Sequence, residues 1–174
     1  MRRVSLNART ARDAATTEAV EVLLLHIEHP ALSAPLRLSS DPTERLSTDP
    51  LVYGTRSTWM SGEGGPTPHL FVVASAEVPG DLEDAPAAAT IVVDAGNAET
   101  GQLLRSFIDR PVVHMAVVLA TSPDLVEVEY RGLRIVEVEG NAAEVSLSIS
   151  RAPIEDESVP MDRFTKDRFP GLFP

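Results

Sequence analysis

Pro111-Val-Val-His-Met-Ala-Val-Val-Leu-Ala-Thr-Ser-Pro-Asp-Leu-Val-Glu-Val-Glu-Tyr-Arg-Gly-Leu-Arg-Ile-Val-Glu-Val-Glu139 decides the fold of this chain. Val112 to Ala120, Leu125 to Tyr130 and Leu133 to Glu139 read as three strands, and Ala142 to Ser150 as a fourth. Val126, Val128 and Tyr130 alternate with Glu127 and Glu129, and the same period of two runs from Ile135 to Glu139. Alternation of that kind marks half-solvated antiparallel strands. Pro123-Asp124, Arg131-Gly132 and Gly140-Asn141 supply the turn chemistry between them.

Upstream, the same reading continues. Glu18 to Glu28 places Val20, Val22, Leu24 and His26 on one face and Leu23, Leu25 and Ile27 on the other, so this strand is apolar on both sides. His29-Pro30 ends it, because proline cannot continue a hydrogen-bonded ladder. Ala34 to Ser39 and Leu51 to Thr55 read as the next strands, with turns at Asp41-Pro42 and Asp49-Pro50 between them. Ser61 to Pro68 is the clearest loop, separating Trp59 from a strand over His69 to Ala76. An acidic turn over Val78 to Ala85 leads into a strand over Ala88 to Asp94. The period then changes: Leu103, Leu104, Phe107 and Ile108 share one face of a helix over Asn97 to Asp109, ended by Pro111. Residues 8 to 19 form a short alanine-rich helix or arm with a narrow apolar face. Eight or nine short strands with one flanking helix predict a mainly β fold, an antiparallel β-sandwich or partly closed barrel with extended termini.

At 174 residues, the chain suits one domain. Aromatics are only 5%, so Val, Leu, Ile and Ala must build the core. The net charge of -11 is unevenly placed, with four arginines and no acid in the first twelve residues and an acidic body behind them. An anionic body disfavours nucleic acid, whose phosphates need a lysine and arginine surface. It suits either assembly through the basic ends of sibling chains or plain solubility. There are no cysteines, which excludes disulfides, zinc-thiolate sites and iron-sulfur clusters. No apolar stretch approaches the ~20 residues that span a bilayer, and residues 4 to 19 are too polar for a signal h-region. A cytoplasmic site of synthesis and storage is the expectation.

Signatures of catalysis are missing. His26-Ile27-Glu28-His29 offers three potential ligands, but strand geometry turns His26 and Glu28 one way and leaves His29 past the turn. His69 and His114 stand alone in apolar strands, as satisfied core or edge residues do. No serine sits in a nucleophile elbow. Glu127 and Glu129 have a spacing of about 7 Å on one strand face, close to a glycosidase pair, yet any solvent-facing strand shows that pattern. Gly62 to Gly65 lacks the lysine of a phosphate loop. The chain is expected not to be an enzyme and to hold no metal or cofactor.

The last fourteen residues, Met161 to Pro174, hold three of the five phenylalanines and the only lysine, without helical or strand periodicity. Phe164, Phe169, Leu172 and Phe173 would each gain roughly 1.5 to 3 kcal/mol on burial, while Pro160, Pro170 and Pro174 prevent local folding. Residues 153–174 therefore read as an extended docking arm, residues 20–152 as the β domain and residues 1–19 as the N-terminal arm.

Arg163-Phe164-Thr165 followed by Arg168-Phe169-Pro170-Gly171-Leu172-Phe173 resembles the ending of an uncharacterised-domain family of minor tail proteins encoded in siphophage and prophage tail operons. Leu24 to Leu38 and Val78 to Phe107 are similar to further stretches of that family. The Ser61 to Pro68 insertion and Lys166-Asp167 depart from it. The resemblance implies a virion component near the tip of a long noncontractile tail, assembled in the bacterial cytoplasm, with a tail-tube-like fold arranged as rings. It implies homo-oligomeric contacts and contacts with the tail tube, hub and tape-measure proteins, and none with nucleic acid or membrane. The arm residues Arg163, Phe164, Arg168, Phe169, Pro170, Leu172 and Phe173 would bind the partner, the arginines pairing with its acids. Two alternatives accompany this reading. One is a receptor- or glycan-binding module using Tyr53, Trp59 and the Ser61 to Pro68 loop; the other is a tail-assembly chaperone.

Overall fold

A computed structural model describes residues 5–72, 74–77, 88–94, 110–140, 144–150 and 171. The expected helix over 97–109, the acidic turn over 78–85 and the docking arm, Gly171 apart, lie outside these residues. The chain runs α1 (Leu6–Asp13), β1 (Glu21–Glu28), β2 (Leu36–Ser39), β3 (Glu44–Thr48), β4 (Leu51–Ser57), β5 (Thr67–Phe71), β6 (Ala74–Glu77), β7 (Ala88–Asp94), β8 (Val112–Leu119), β9 (Ser122–Gly140) and β10 (Glu144–Ser150), with a 3₁₀ turn at Gly62–Gly64.

The fold is mainly β, as the sequence predicts, with α1 the one α-helix among the described residues. All ten strands hydrogen-bond in one sheet, ordered β3-β4-β5-β2-β1-β8-β9-β10-β7-β6. Neither a second sheet nor closure of β3 onto β6 is present among the described residues. Pairing is antiparallel except between β2 and β5, which run parallel. That pair corrects the expectation of a purely antiparallel sheet: β3 and β4 intervene in sequence, so β5 returns alongside β2 in the same direction.

β1 sits mid-sheet between β2 and β8, which is why its sequence is apolar on both faces. Leu25 and Ile27 point into one core with Leu38, Ile91, Val113, Met115, Leu133, Ile135, Val145, Leu147 and Ile149. Val22 and Leu24 point the other way and pack with Ala116, Val118 and Trp59. β3 escaped the sequence reading because Glu44-Arg45-Leu46-Ser47-Thr48 is too polar to look like a strand; it is an edge strand, where such residues belong. The two-residue link from β3 to β4 is Asp49-Pro50, with a cis peptide bond.

The largest correction concerns β9. Arg131-Gly132 is not a turn, and Pro123-Asp124 falls within the strand; one 19-residue strand replaces two short ones. β8 pairs with its first part, Ser122 to Arg134, and β10 with its last, Arg134 to Gly140, while its register slips at several bulges. At one of them Met115 pairs with Tyr130 and Val113 with Leu133, leaving Arg131 and Gly132 opposite His114. Gly132 has φ 69°, the left-handed conformation that a bulge can exploit as readily as a turn. At another, Val117 pairs with Val128 and Val118 with Val126, so Glu127 is the extra residue. Instead of facing solvent, Glu127 is only 2% exposed.

That buried carboxylate holds α1. Its two oxygens accept from Ser5, one from the backbone N–H at 2.6 Å and one from the hydroxyl at 2.5 Å. Ser5 is also the helix N-cap, accepting from the Ala8 N–H at 3.1 Å. The helix starts earlier and ends sooner than expected, at Asp13, since Thr16 and Thr17 are poor helix formers. Ala8 is its one buried residue, and Arg12 pairs with Glu21 at 2.8 Å.

Candidate functional site

On the face of the sheet that carries Val22 and Leu24, the strand registers assemble a row of basic side chains. His26 of β1 pairs with Arg37 of β2 on one side and with His114 of β8 on the other. Leu38 of β2 pairs with Leu70 of β5, which sets Arg37 beside His69, and Thr55 of β4 pairs with His69. The row across five strands is thus Thr55, His69, Arg37, His26, His114, with the Arg131–Gly132 bulge beyond it. The expectation that His69 and His114 stand alone is corrected: 43 and 45 residues separate these histidines in sequence, and only the register unites them.

Trp59 lies across the row. Its ring stacks on His69 with centroids 6.0 Å apart and meets His26 edge-on at 6.2 Å. Its indole N–H donates to Glu129 Oε1 on β9 at 2.8 Å. The backbone that delivers it is fixed at both ends of the turn. The Ser57 hydroxyl donates to the Pro123 carbonyl at 2.7 Å, and the Thr58 N–H to Asp124 Oδ1 at 2.7 Å. Those acceptors belong to the irregular start of β9, where Leu119 pairs with Ser122 but Val118 with Val126. Met60 follows with φ 53°, turning the chain back toward β5. β4 and β5 approach so closely that a Cβ on Gly54 would lie 1.9 Å from the His69 carbonyl oxygen, so only glycine fits there.

Trp59 is 5% exposed. This corrects its assignment to a glycan-binding face, for which an aromatic ring must be open to the sugar. Tyr53 is partly exposed on β4, but it stands without the indole expected beside it.

Hydrogen bonds fix the tautomers of the row. His26 Nε2 is 3.0 Å from Glu28 Oε1; a carboxylate only accepts, so Nε2 carries the proton and Nδ1 is bare. His69 Nδ1 lies 3.2 Å from the Thr67 carbonyl, which likewise puts the proton on Nδ1. His114 Nδ1 accepts from the Gly132 N–H at 3.3 Å. His26 Nδ1, His69 Nε2 and Arg37 Nε are buried with no hydrogen-bond partner. His69 therefore deviates from the satisfied core or edge residue expected of it.

Burial lowers the pKa of all three imidazoles, because an apolar surrounding disfavours the charged form. For His69 the value falls from 6.5 to about 4, with Arg37 and His26 adding repulsion. For His26 the hydrogen bond to Glu28 offsets part of the burial effect. Glu129 moves oppositely to a simple buried acid. Burial raises it, but the hydrogen bonds from Trp59 and Arg131 outweigh that and hold it below the usual carboxylate range. Neither His26 nor His69 bonds a hydroxyl, and the Ser39 and Thr55 hydroxyls bond each other at 2.8 Å, so the row contains no activated nucleophile. What it can do chemically is take up protons.

Glu127 and Glu129 are engaged by Ser5 and by Trp59 and Arg131 respectively, not paired across a sugar site. His29 turns back to its own loop, its Nδ1 accepting from the Ala31 N–H at 3.1 Å. Among the described residues no group of three or more His, Asp or Glu side chains is placed to hold a metal ion. No helix among them is long and apolar enough to cross a membrane. Arg163, Phe164, Arg168, Phe169, Pro170, Leu172 and Phe173 lie outside the described residues. The chain matches no protein-family model and no curated protein.

Proposed function

We propose that this protein is a non-enzymatic structural component of a long noncontractile phage tail, forming a ring at the tail tip between tail tube and hub. The observation that carries the reading is the open sheet. β3 and β6 each present a strand edge without a partner among the described strands, and an unpaired edge is a template for a neighbouring chain. The likeness of the C-terminal residues to minor tail proteins supports it. So does the commitment of the polar residues around Trp59 to internal hydrogen bonds, which suits a scaffold better than a site that handles substrate. Arg163, Phe164, Arg168, Phe169, Pro170, Leu172 and Phe173 anchor the next subunit in this proposal, and tail tube, hub and tape-measure proteins are the neighbours. Assembly takes place in the bacterial cytoplasm and the finished protein resides in the virion.

The test is the solution mass of the full chain and of a chain ending at Pro160, measured across a concentration series. A defined oligomer that the shortened chain loses is the expected result. Equal monomers, together with absence of the protein from purified particles by mass spectrometry, would sink the proposal and favour an assembly chaperone.

A further inference from the structure

We infer that the row His69, Arg37, His26, His114 is a proton-operated clasp, in which proton uptake by the imidazoles releases Trp59 and the turn that carries it from the sheet. The inference is independent of the proposed function.

The geometry provides the elements of a switch. The latch is one indole laid over two imidazoles, and the strap behind it is held at Ser57 and Thr58 by two acceptors on β9. The groups that face the row among the described residues are these. His69 meets Thr67 of its own strand, Thr55 of β4, Arg37 of β2 and His26 of β1. His26 meets Glu28, Arg37, His114 and Trp59. His114 meets Glu28 from β1 and Glu129 and Arg131 from β9. Among the described residues no acid acts on His69, and the fixed charge beside it is the Arg37 guanidinium. A proton on His69 is therefore uncompensated while Trp59 is seated.

With the strap released, water reaches the imidazole and it recovers ordinary basicity. A histidine that titrates at about 4 when enclosed and at 6.5 when free favours release on the order of a hundredfold at pH 4, and hardly at all at pH 7. Glu129 does not share this response, since its hydrogen bonds keep it ionised into more acid solution, where it still accepts from the indole. The acid-sensitive element is thus the imidazole row under the ring, not the carboxylate at its edge. The opposite face of the sheet, with Leu25, Ile27 and Leu147, is held by a cluster of buried apolar side chains and stays folded.

Trp59 is the only tryptophan, so its fluorescence reports the clasp alone. In the full-length protein the emission maximum should move to longer wavelength between pH 6.5 and pH 4 and return on neutralisation, with the far-ultraviolet β signal unchanged. His69→Gln should carry the transition to lower pH. Arg37→Gln, a gentler change at a half-buried site, should do so less, because removing the guanidinium lets the enclosed imidazoles accept protons more readily. An emission maximum that stays in place to pH 4 overturns the inference. So does a fall of intensity without a wavelength shift, which would mean protonation with the indole still seated. A red shift that coincides with loss of the β signal also overturns it, as do two variants that titrate like the parent protein.

Discussion

The two faces of the central strands differ in what they bury. One face of β1 and β8 holds Leu25, Ile27, Val113 and Met115 in a core of aliphatic side chains from six strands and the residue after β5. The other face begins the same way, with Val22, Leu24, Ala116 and Val118, and then, one step along the strands, changes to His26 and His114. The first face is indifferent to protons. The second combines apolar packing with groups that water and acid can reach once Trp59 lifts. A single sheet thus contains a permanent core and a conditional one, and the difference comes from one position on each of two strands.

Truncating the permanent core should have the largest effect. Leu147→Ala removes a fully buried side chain and should lower stability by about 3 to 5 kcal/mol, equally at pH 7 and pH 5, as read by urea unfolding. A strong pH dependence of that loss would blur the distinction between the faces.

Acid should act on the conditional core next. The enclosed value for His69 lies below its free value, so the unfolded chain binds the proton first. Stability is then greatest above pH 6.5, declines as pH falls, and levels off near pH 4, with roughly 3 kcal/mol lost from this one group. His69→Gln should flatten the denaturation midpoint over that range. A midpoint that declines as steeply without the imidazole would show that other groups govern acid stability.

Glu127→Gln tests the strand that serves both faces. The neutral amide keeps the Ser5 N–H on its oxygen but must donate to the hydroxyl, so two hydrogen bonds to a charged acceptor become weaker neutral ones at a cost of about 1 to 2 kcal/mol, and hydrogen exchange should accelerate over Leu6–Asp13 while β1 stays protected. Gly132→Ala should be smallest, about 1 kcal/mol, because open space surrounds the new methyl and only the positive φ resists it. Thermal melting resolves that difference, and a neutral result would mean that the bulge relaxes to ordinary strand geometry.

Much of this was legible in the sequence. The period of two over Val126 to Tyr130 and over Ile135 to Glu139, and the two-sided apolar pattern of Val22 to Ile27, correspond to strands in the structure. The fusion of two expected strands into β9 also left a trace: inward residues fall at even positions up to Tyr130 and at odd positions from Leu133, and that change of phase is what a bulge at Arg131-Gly132 produces. A turn residue marks a departure from the ladder without saying whether the chain reverses. The histidine row left no trace, because it exists only through four strand pairings, two of them between strands not consecutive in sequence and one of those parallel. Glu127 looked solvated because alternation assigns it to the outside, and a one-residue slip moved it in.

The bond between Ser5 and Glu127 also sets a path for mechanical load. A pull on the chain ahead of Ser5 meets the sheet first at the middle of β9, before any tension reaches β1, because the short helix and the segment to Val20 lie beyond that fastening. There β9 is hydrogen-bonded to β8, whose pairing runs from Ser122 to Arg134, so force entering at Glu127 passes to β8 and loads that ladder in shear. An N-terminus anchored in this way can serve as a tether without peeling the strand that follows it.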